Sequence, residues 1–209
     1  MNIKLYKIEK GYSENNLLDA IVLCNLENII LFTVQILKKE DGSFLCVLPK
    51  RNRKEENGVD TEYFTFSSFK KRDEFIDLIL KEYKKNKDNL SFYEETNEQY
   101  NTKLDLETKE IKHDYIKYYI KLIINKDIII SGFKLGKIEN NNLILTPSFF
   151  KNRVLYNKFK LTSIGESKLF ELLCEKNLIS FEEPPKQEEK EPLETPRKTL
   201  KDLEHLNFI

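Results

Sequence analysis

The chain has 209 residues, with 35 Lys and Arg against 35 Asp and Glu, and a formal net charge of zero. That length suits one large domain or two small ones. Zero net charge argues against a nucleic-acid binder only until the chain is divided. Residues 1–87 carry +2, 88–113 carry −4, 114–181 carry +5 and 182–209 carry −3. The field near each basic stretch, not the whole-chain sum, steers an anionic partner.

No apolar run approaches the roughly 20 residues a membrane span needs. The most apolar stretch, Ile120 to Ile130, is broken by Lys121, Asn125, Lys126 and Asp127. The first residues have no apolar signal core. Cys24, Cys46 and Cys174 lie in apolar runs, without CxxC spacing or a nearby histidine. These features point to a cytoplasmic protein with reduced core thiols and no membrane partner.

In chain order, Ile3, Leu5 and Ile8 mark a first strand. Ala20–Leu26 and Ile29–Val34 mark two more, with Glu27-Asn28 as a hairpin turn between them. Phe32, Val34 and Ile36 alternate with polar residues, the period of a strand with one buried face. Asp41-Gly42 is a turn signal. Phe44 to Leu48 is a short apolar run ended by Pro49. Lys50, Arg51, Arg53 and Lys54 follow as a basic loop. Such a hairpin-borne cluster suits anion binding, although charge runs are commonly solvated turns. Tyr63, Phe64 and Phe66 form a short aromatic strand, and Ser67-Ser68 suit a helix cap. Phe75, Ile76, Ile79, Leu80 and Tyr83 then share one helical face. Asp73 and Glu74 near its start, and Lys84, Lys85 and Lys87 near its end, suit the helix dipole. Residues 88–113 are polar and acidic and read as a linker, with partial packing or a helix as the alternatives.

The pattern recurs. Tyr115–Ile124 and Ile128–Leu135 are strand-like, and Asn140-Asn141-Asn142 occupies the place of Asp41-Gly42. Leu143 to Pro147 matches Leu45 to Pro49, a shift of 98 residues at the proline (49 to 147). Lys151-Asn152-Arg153 answers Arg51-Asn52-Arg53. Tyr156–Leu161 is another strand, and Gly165–Cys174 another helix. A tandem repeat of one strand-rich unit with a terminal helix follows. The expected architecture is α+β: two antiparallel β-meander modules, 1–87 and 114–181, each followed by one C-terminal helix. A 25-residue connection (88 to 112) reaches only about 25–30 Å, so the modules are expected to pair internally as a pseudo-dimer in a monomeric chain. Residues 182–209 are a Pro- and Glu-rich flexible tail with an apolar tip. Leu200, Leu203, Leu206 and Phe208 are candidates for docking a protein partner.

At the loop after Pro49 and the helix beyond it, the chain resembles the SpoVG family (stage V sporulation protein G, or septation protein). Members carry a run like GLFVAMPSKR, a polar loop, and a segment like TRGKIQDAVLNEY. Here Gly42 to Arg51 answers the first, and Lys71 to Tyr83 aligns with the second without a gap. The match covers roughly residues 1–85; the second module resembles the family only through the first. Three departures stand out. No Ser lies between Pro49 and Lys50, the glycine comes one place early, and Asp73-Glu74 replaces a small-plus-basic pair. Those two carboxylates weaken anion binding at the helix start. The second module also lacks paired cations directly after its proline.

The resemblance implies a cytoplasmic bacterial regulator that binds DNA or RNA, with two family-like units in one chain. Phosphate contacts are expected from Lys50, Arg51, Arg53 and Lys54, with Lys70, Lys71 and Arg72 beside them. Lys151, Arg153, Lys158 and Lys160 are the counterparts in the second module. Such contacts position a nucleic acid rather than specify its sequence. There is no phosphate-binding glycine loop, and His113 and His205 lie far from any cysteine. No cofactor, metal site or catalytic constellation is expected. The alternatives are a protein-interaction adaptor, and an enzyme without a recognisable acid, base or nucleophile.

Overall fold

The computed structural model describes residues 1–8, 17–54, 60–138, 141–146, 148–151, 154–157 and 159–179. The tail, 182–209, with Leu200, Leu203, Leu206 and Phe208, lies outside them. The fold is α+β, with two five-stranded antiparallel sheets and two helices.

The first sheet begins with β1 (Ile3–Lys7), β2 (Leu18–Leu26), β3 (Ile30–Lys38) and β4 (Phe44–Val47), paired in that order. Glu27 and Asn28 turn the chain between β2 and β3 with φ of 56° and 51°. Two successive positive φ values give a two-residue turn whose twist matches the strands. The next turn uses Gly42 at φ 79°, and the Asp41 carboxylate accepts the Ser43 N–H at 2.8 Å. The chain continues through β5 (Lys50–Lys54), β6 (Asp60–Glu62) and β7 (Phe64–Phe66) into α1 (Phe69–Asn86). Ser68 caps α1 by accepting the Lys71 N–H at 3.2 Å. One helix face buries Phe75, Ile79 and Tyr83. It packs on the first sheet, where Phe75 stacks on Phe32 and Tyr83 meets Phe44 edge-on.

The second sheet repeats the plan with β8 (Leu104–Glu110), β9 (Ile116–Ile124), β10 (Ile128–Ile138) and β11 (Asn141–Leu145). Its β9–β10 turn is Asn125-Lys126, at φ 52° and 66°. β12 (Ser148–Lys151) and β13 (Val154–Asn157) pair with each other, and β14 (Phe159–Leu161) leads into α2 (Ser163–Glu175). Thr162 caps α2, accepting the Gly165 N–H at 3.0 Å and donating to the Asn28 carbonyl at 2.6 Å.

Each half ends in the other half's sheet. β7 pairs with β10, setting Phe66 opposite Ile128 and Phe64 opposite Ile130. β14 pairs with β3, setting Leu161 opposite Ile30 and Phe159 opposite Phe32. The exits match as well: Ser67 N–H donates to the Asp127 carbonyl at 3.0 Å, and Thr162 N–H to the Ile29 carbonyl at 3.0 Å. Phe64 and Phe159 meet at 5.6 Å between ring centroids, with Phe32 4.9 Å from Phe64 and Phe133 6.3 Å from Phe159. All four rings are fully buried in one core that runs through both sheets. Met1–Ile179 is accordingly one compact unit.

Several expectations are corrected. Residues 88–113 are not simply a linker: β8 lies within them and forms an edge of the second sheet. Only Leu104 and Leu106 carry its alternation, and only Leu106 is buried, so its period is too short to stand out. The stretch before β8 is also tied down. Lys7 N–H donates to the Ser91 carbonyl at 2.7 Å, and Asn28 Nδ2 donates to the Thr96 and Glu98 carbonyls, each at 2.8 Å. Asn141 and Asn142 begin strand β11 instead of making a turn, because they pair with Ile138 and Lys137; Asn140 lies outside the described residues. Asp73 and Glu74 fall beyond the first turn of α1, which holds no acidic residue.

Candidate functional site

Pro49 ends β4, and the chain turns into the β5–β6 hairpin, apart from both main sheets. The expected basic loop is therefore a strand. Lys50 stands opposite Glu62 and Lys54 opposite Asp60. Between these pairs, Arg51, Asn52 and Arg53 oppose the single residue Thr61, so the ladder is irregular there. Extra residues on one strand leave the pairing and bend it outward. Lys50 and Lys54 each face a carboxylate position, whereas the two arginines occupy the bulge. Lys50 is exposed.

Lys70, Lys71 and Arg72 form a second group on the first turn of α1. Lys70 is exposed, 4.0 Å from Glu74. Lys71 is engaged on two sides, with Glu74 at 3.1 Å and Asp127 at 3.5 Å. The Glu74 hydrogen bond, then the Asp127 charge, raises the Lys71 pKa. Lys71 thus links α1 to the β9–β10 turn through exposed ion pairs. Arg72 is half-buried, and its Nε has no hydrogen-bond partner.

In the second half, Lys151 ends β12 opposite Val154, while Arg153 and Lys158 lie outside the described residues. Lys160 is exposed on β14, opposite Leu31 of β3. Nearby Glu95 accepts the Ser163 N–H at 2.7 Å. That contact lowers the Glu95 pKa, with a smaller contribution from the Lys160 charge. The expected cations that are described therefore fall on different elements: the β5–β6 hairpin, the start of α1, Lys151 on β12 and Lys160 on β14.

The turns of the two sheets meet in a buried polar cluster. Glu27 is only 3% exposed. Its carboxylate accepts from Asn2 N–H at 3.0 Å, Asn2 Nδ2 at 3.2 Å, Thr102 Oγ1 at 3.0 Å and Asn125 Nδ2 at 3.2 Å. Glu27 and Asn125 hold the same place in their turns, 98 residues apart. A buried carboxylate with four donors is satisfied, and leaving it unpartnered would cost several kcal/mol, on the order of 3–5. The cluster is a structural joint, with both Glu27 carboxylate oxygens engaged.

One group of side chains is not singled out by the charge runs. Lys109, Lys117, Tyr119, Lys121 and Lys134 lie on the outer face of the second sheet. Their signal is the alternation in Ile116-Lys117-Tyr118-Tyr119-Ile120-Lys121, which reads more readily as the edge of a core strand.

Among the described residues, no helix is long and apolar enough to cross a membrane. No group of three or more His, Cys, Asp and Glu gathers among them to hold a metal ion. No family model, no curated protein and no solved structure matches the chain.

Proposed function

We propose that the chain is a nucleic-acid-binding regulatory protein of SpoVG type, built as an internal pseudo-dimer. The observation that supports this reading is the irregular β5 strand, whose register breaks between Lys50 and Lys54, the stretch that holds Arg51 and Arg53. Arginine forks suit phosphate oxygens. Neutralising Lys50, Arg51 and Arg53 together weakens binding to duplex DNA or RNA. It also makes the slope of log K against log salt shallower by roughly 2–3. A titration showing unchanged affinity and slope, with an intact fold, reduces the hairpin to a solvated turn.

The exchanged strands β7 and β14 support the pseudo-dimer. Each satisfies an edge that a partner chain would otherwise fill, so the protein is a monomer. Light scattering gives a mass near 24.9 kDa; a stable dimer overturns this part of the reading.

The outer face of the first sheet favours a second reading, a protein-interaction adaptor. Ile21, Leu23, Leu37 and Val47 are half-buried there, and Leu45 is exposed. A basic hairpin whose neutralisation leaves nucleic-acid affinity untouched shifts the balance to that reading.

A further inference from the structure

The outer face of the second sheet carries a pattern that the first sheet lacks. In β9 the side chains of Ile120, Leu122 and Ile124 are buried, so Lys117, Tyr119, Lys121 and Ile123 point the other way. The register sets Tyr119 between Lys109 of β8 and Lys134 of β10. Lys134 in turn faces Leu145 of β11. One row across four strands therefore reads Lys109, Tyr119, Lys134, Leu145. Tyr119 is 45% exposed, and the Lys134 ammonium stands 5.8 Å from its ring centroid.

The carboxylates on this face are already engaged. Glu107 pairs with Lys121 at 3.0 Å, and Asp105 with Lys176 at 2.8 Å. The Lys176 hydrogen bond is the main reason the Asp105 carboxyl lies below its ordinary pKa. Lys109, Lys117 and Lys134 have no ion-pair partner among the described residues. The face is thus positive, with an open aromatic ring at its centre.

The scaffold does not require this pattern. Counted from the matching hairpin turns, the first sheet has Ile21 opposite Gln35 where the second has Tyr119 opposite Lys134. Leu23 stands in the place of Lys121, and Asp19 in that of Lys117. The same architecture forms with Ile21 and Leu23 where the second sheet has Tyr119 and Lys121, so the fold does not depend on that row of lysines and tyrosine.

We propose that this face is a platform for single-stranded nucleic acid. A base stacks on Tyr119, and phosphates meet Lys109, Lys117 and Lys134. An unpaired base offers its flat face to an exposed ring on a sheet, whereas a duplex keeps its base faces stacked inside. The proposal rests on the nucleic-acid reading above, and adds to the hairpin a separate surface that selects strand form.

Fluorescence anisotropy of the full chain tests it. The probes are labelled single strands of DNA and RNA of about 12 nucleotides, a length that OB-fold single-strand binders cover, and a duplex of the same sequence. Tyr119→Ala weakens single-strand binding about tenfold or more, and Tyr119→Phe retains it, because stacking needs the ring alone. Lys109→Ala with Lys134→Ala makes the single-strand salt slope shallower by about 1.4. Duplex affinity is unchanged by Tyr119→Ala. If Tyr119→Ala binds single strands as the parent does while the hairpin variant loses them, the platform is wrong and the hairpin stands. A double lysine variant that weakens both strand forms equally, with Tyr119→Ala neutral, makes the face a general anion surface and also overturns the platform. A parent chain that binds neither strand form removes both readings.

Discussion

Replacing Phe159 with alanine lowers the stability of the Met1–Ile179 unit by about 3–5 kcal/mol. It does so through one unfolding transition, not two. Phe159 is fully buried and packs against Phe32 at 6.0 Å, Tyr63 at 5.2 Å, Phe64 at 5.6 Å and Phe133 at 6.3 Å between centroids. Those rings come from both sheets, so the cavity opens where the halves join. Neither half retains an intact core once the joint loosens, because each sheet borrows an edge strand from the other. Urea unfolding followed by circular dichroism and by tyrosine fluorescence gives coincident curves with a lowered midpoint. Two separated transitions in the variant would show that the halves stand independently.

Gly165→Ala is destabilising by about 3 kcal/mol, although the same change inside a helix ordinarily stabilises by about 1 kcal/mol. The reversal comes from a close approach. A Cβ at position 165 would lie 2.0 Å from the Ile29 carbonyl oxygen and 2.9 Å from its carbon. Both are backbone atoms of the β2–β3 turn, which is held by Thr162 and by the polar cluster around Glu27. That turn cannot yield without breaking those bonds, so α2 must move. A thermal melt of Gly165→Ala, with exposed Ser167→Ala in the same helix as control, measures the difference. A melting temperature equal to the control refutes the close packing.

The matching helix start in the first half solves the same junction differently. There Lys71 reaches Asp127 at 3.5 Å, where the second half brings Gly165 onto Ile29. One ion pair and one bare backbone contact fill equivalent places. The hairpin of β5 and β6 shows a similar divergence, since Lys50 and Lys54 face Glu62 and Asp60 while Lys151 faces Val154.

Much of the element order is legible in the sequence, for a physical reason. Strands with one buried face alternate, as Phe32, Val34 and Ile36 do, and α1 shows its period through Phe75, Ile79 and Tyr83. Turn residues mark the breaks at Glu27-Asn28 and Asp41-Gly42. Pairing between distant strands leaves no such mark. Phe64-Thr65-Phe66 reads as a strand but carries nothing that says its partner is β10. The site is less legible still. Charge density draws the eye to Lys50–Lys54, yet which cations are engaged depends on neighbours far along the chain, such as Asp127 for Lys71. The lysines around Tyr119 escape notice because they are spaced one apart along a strand, and become a cluster only when β8, β9 and β10 lie side by side.

The exchanged strands also set the timetable of the chain's birth. The edge of β3 at Ile30–Phe32 is finished only by β14, and β7 waits for β10. At roughly 5–20 residues per second, the ~120 residues between Lys38 and Phe159 take on the order of 10 s to emerge from a ribosome. Throughout that interval the first half exposes an apolar strand edge, the kind of surface that recruits neighbouring chains. Its aromatic strand β7 hangs unpaired beside it. Completion of the first sheet therefore waits on synthesis of the second half, and slow translation there prolongs the exposure of that edge.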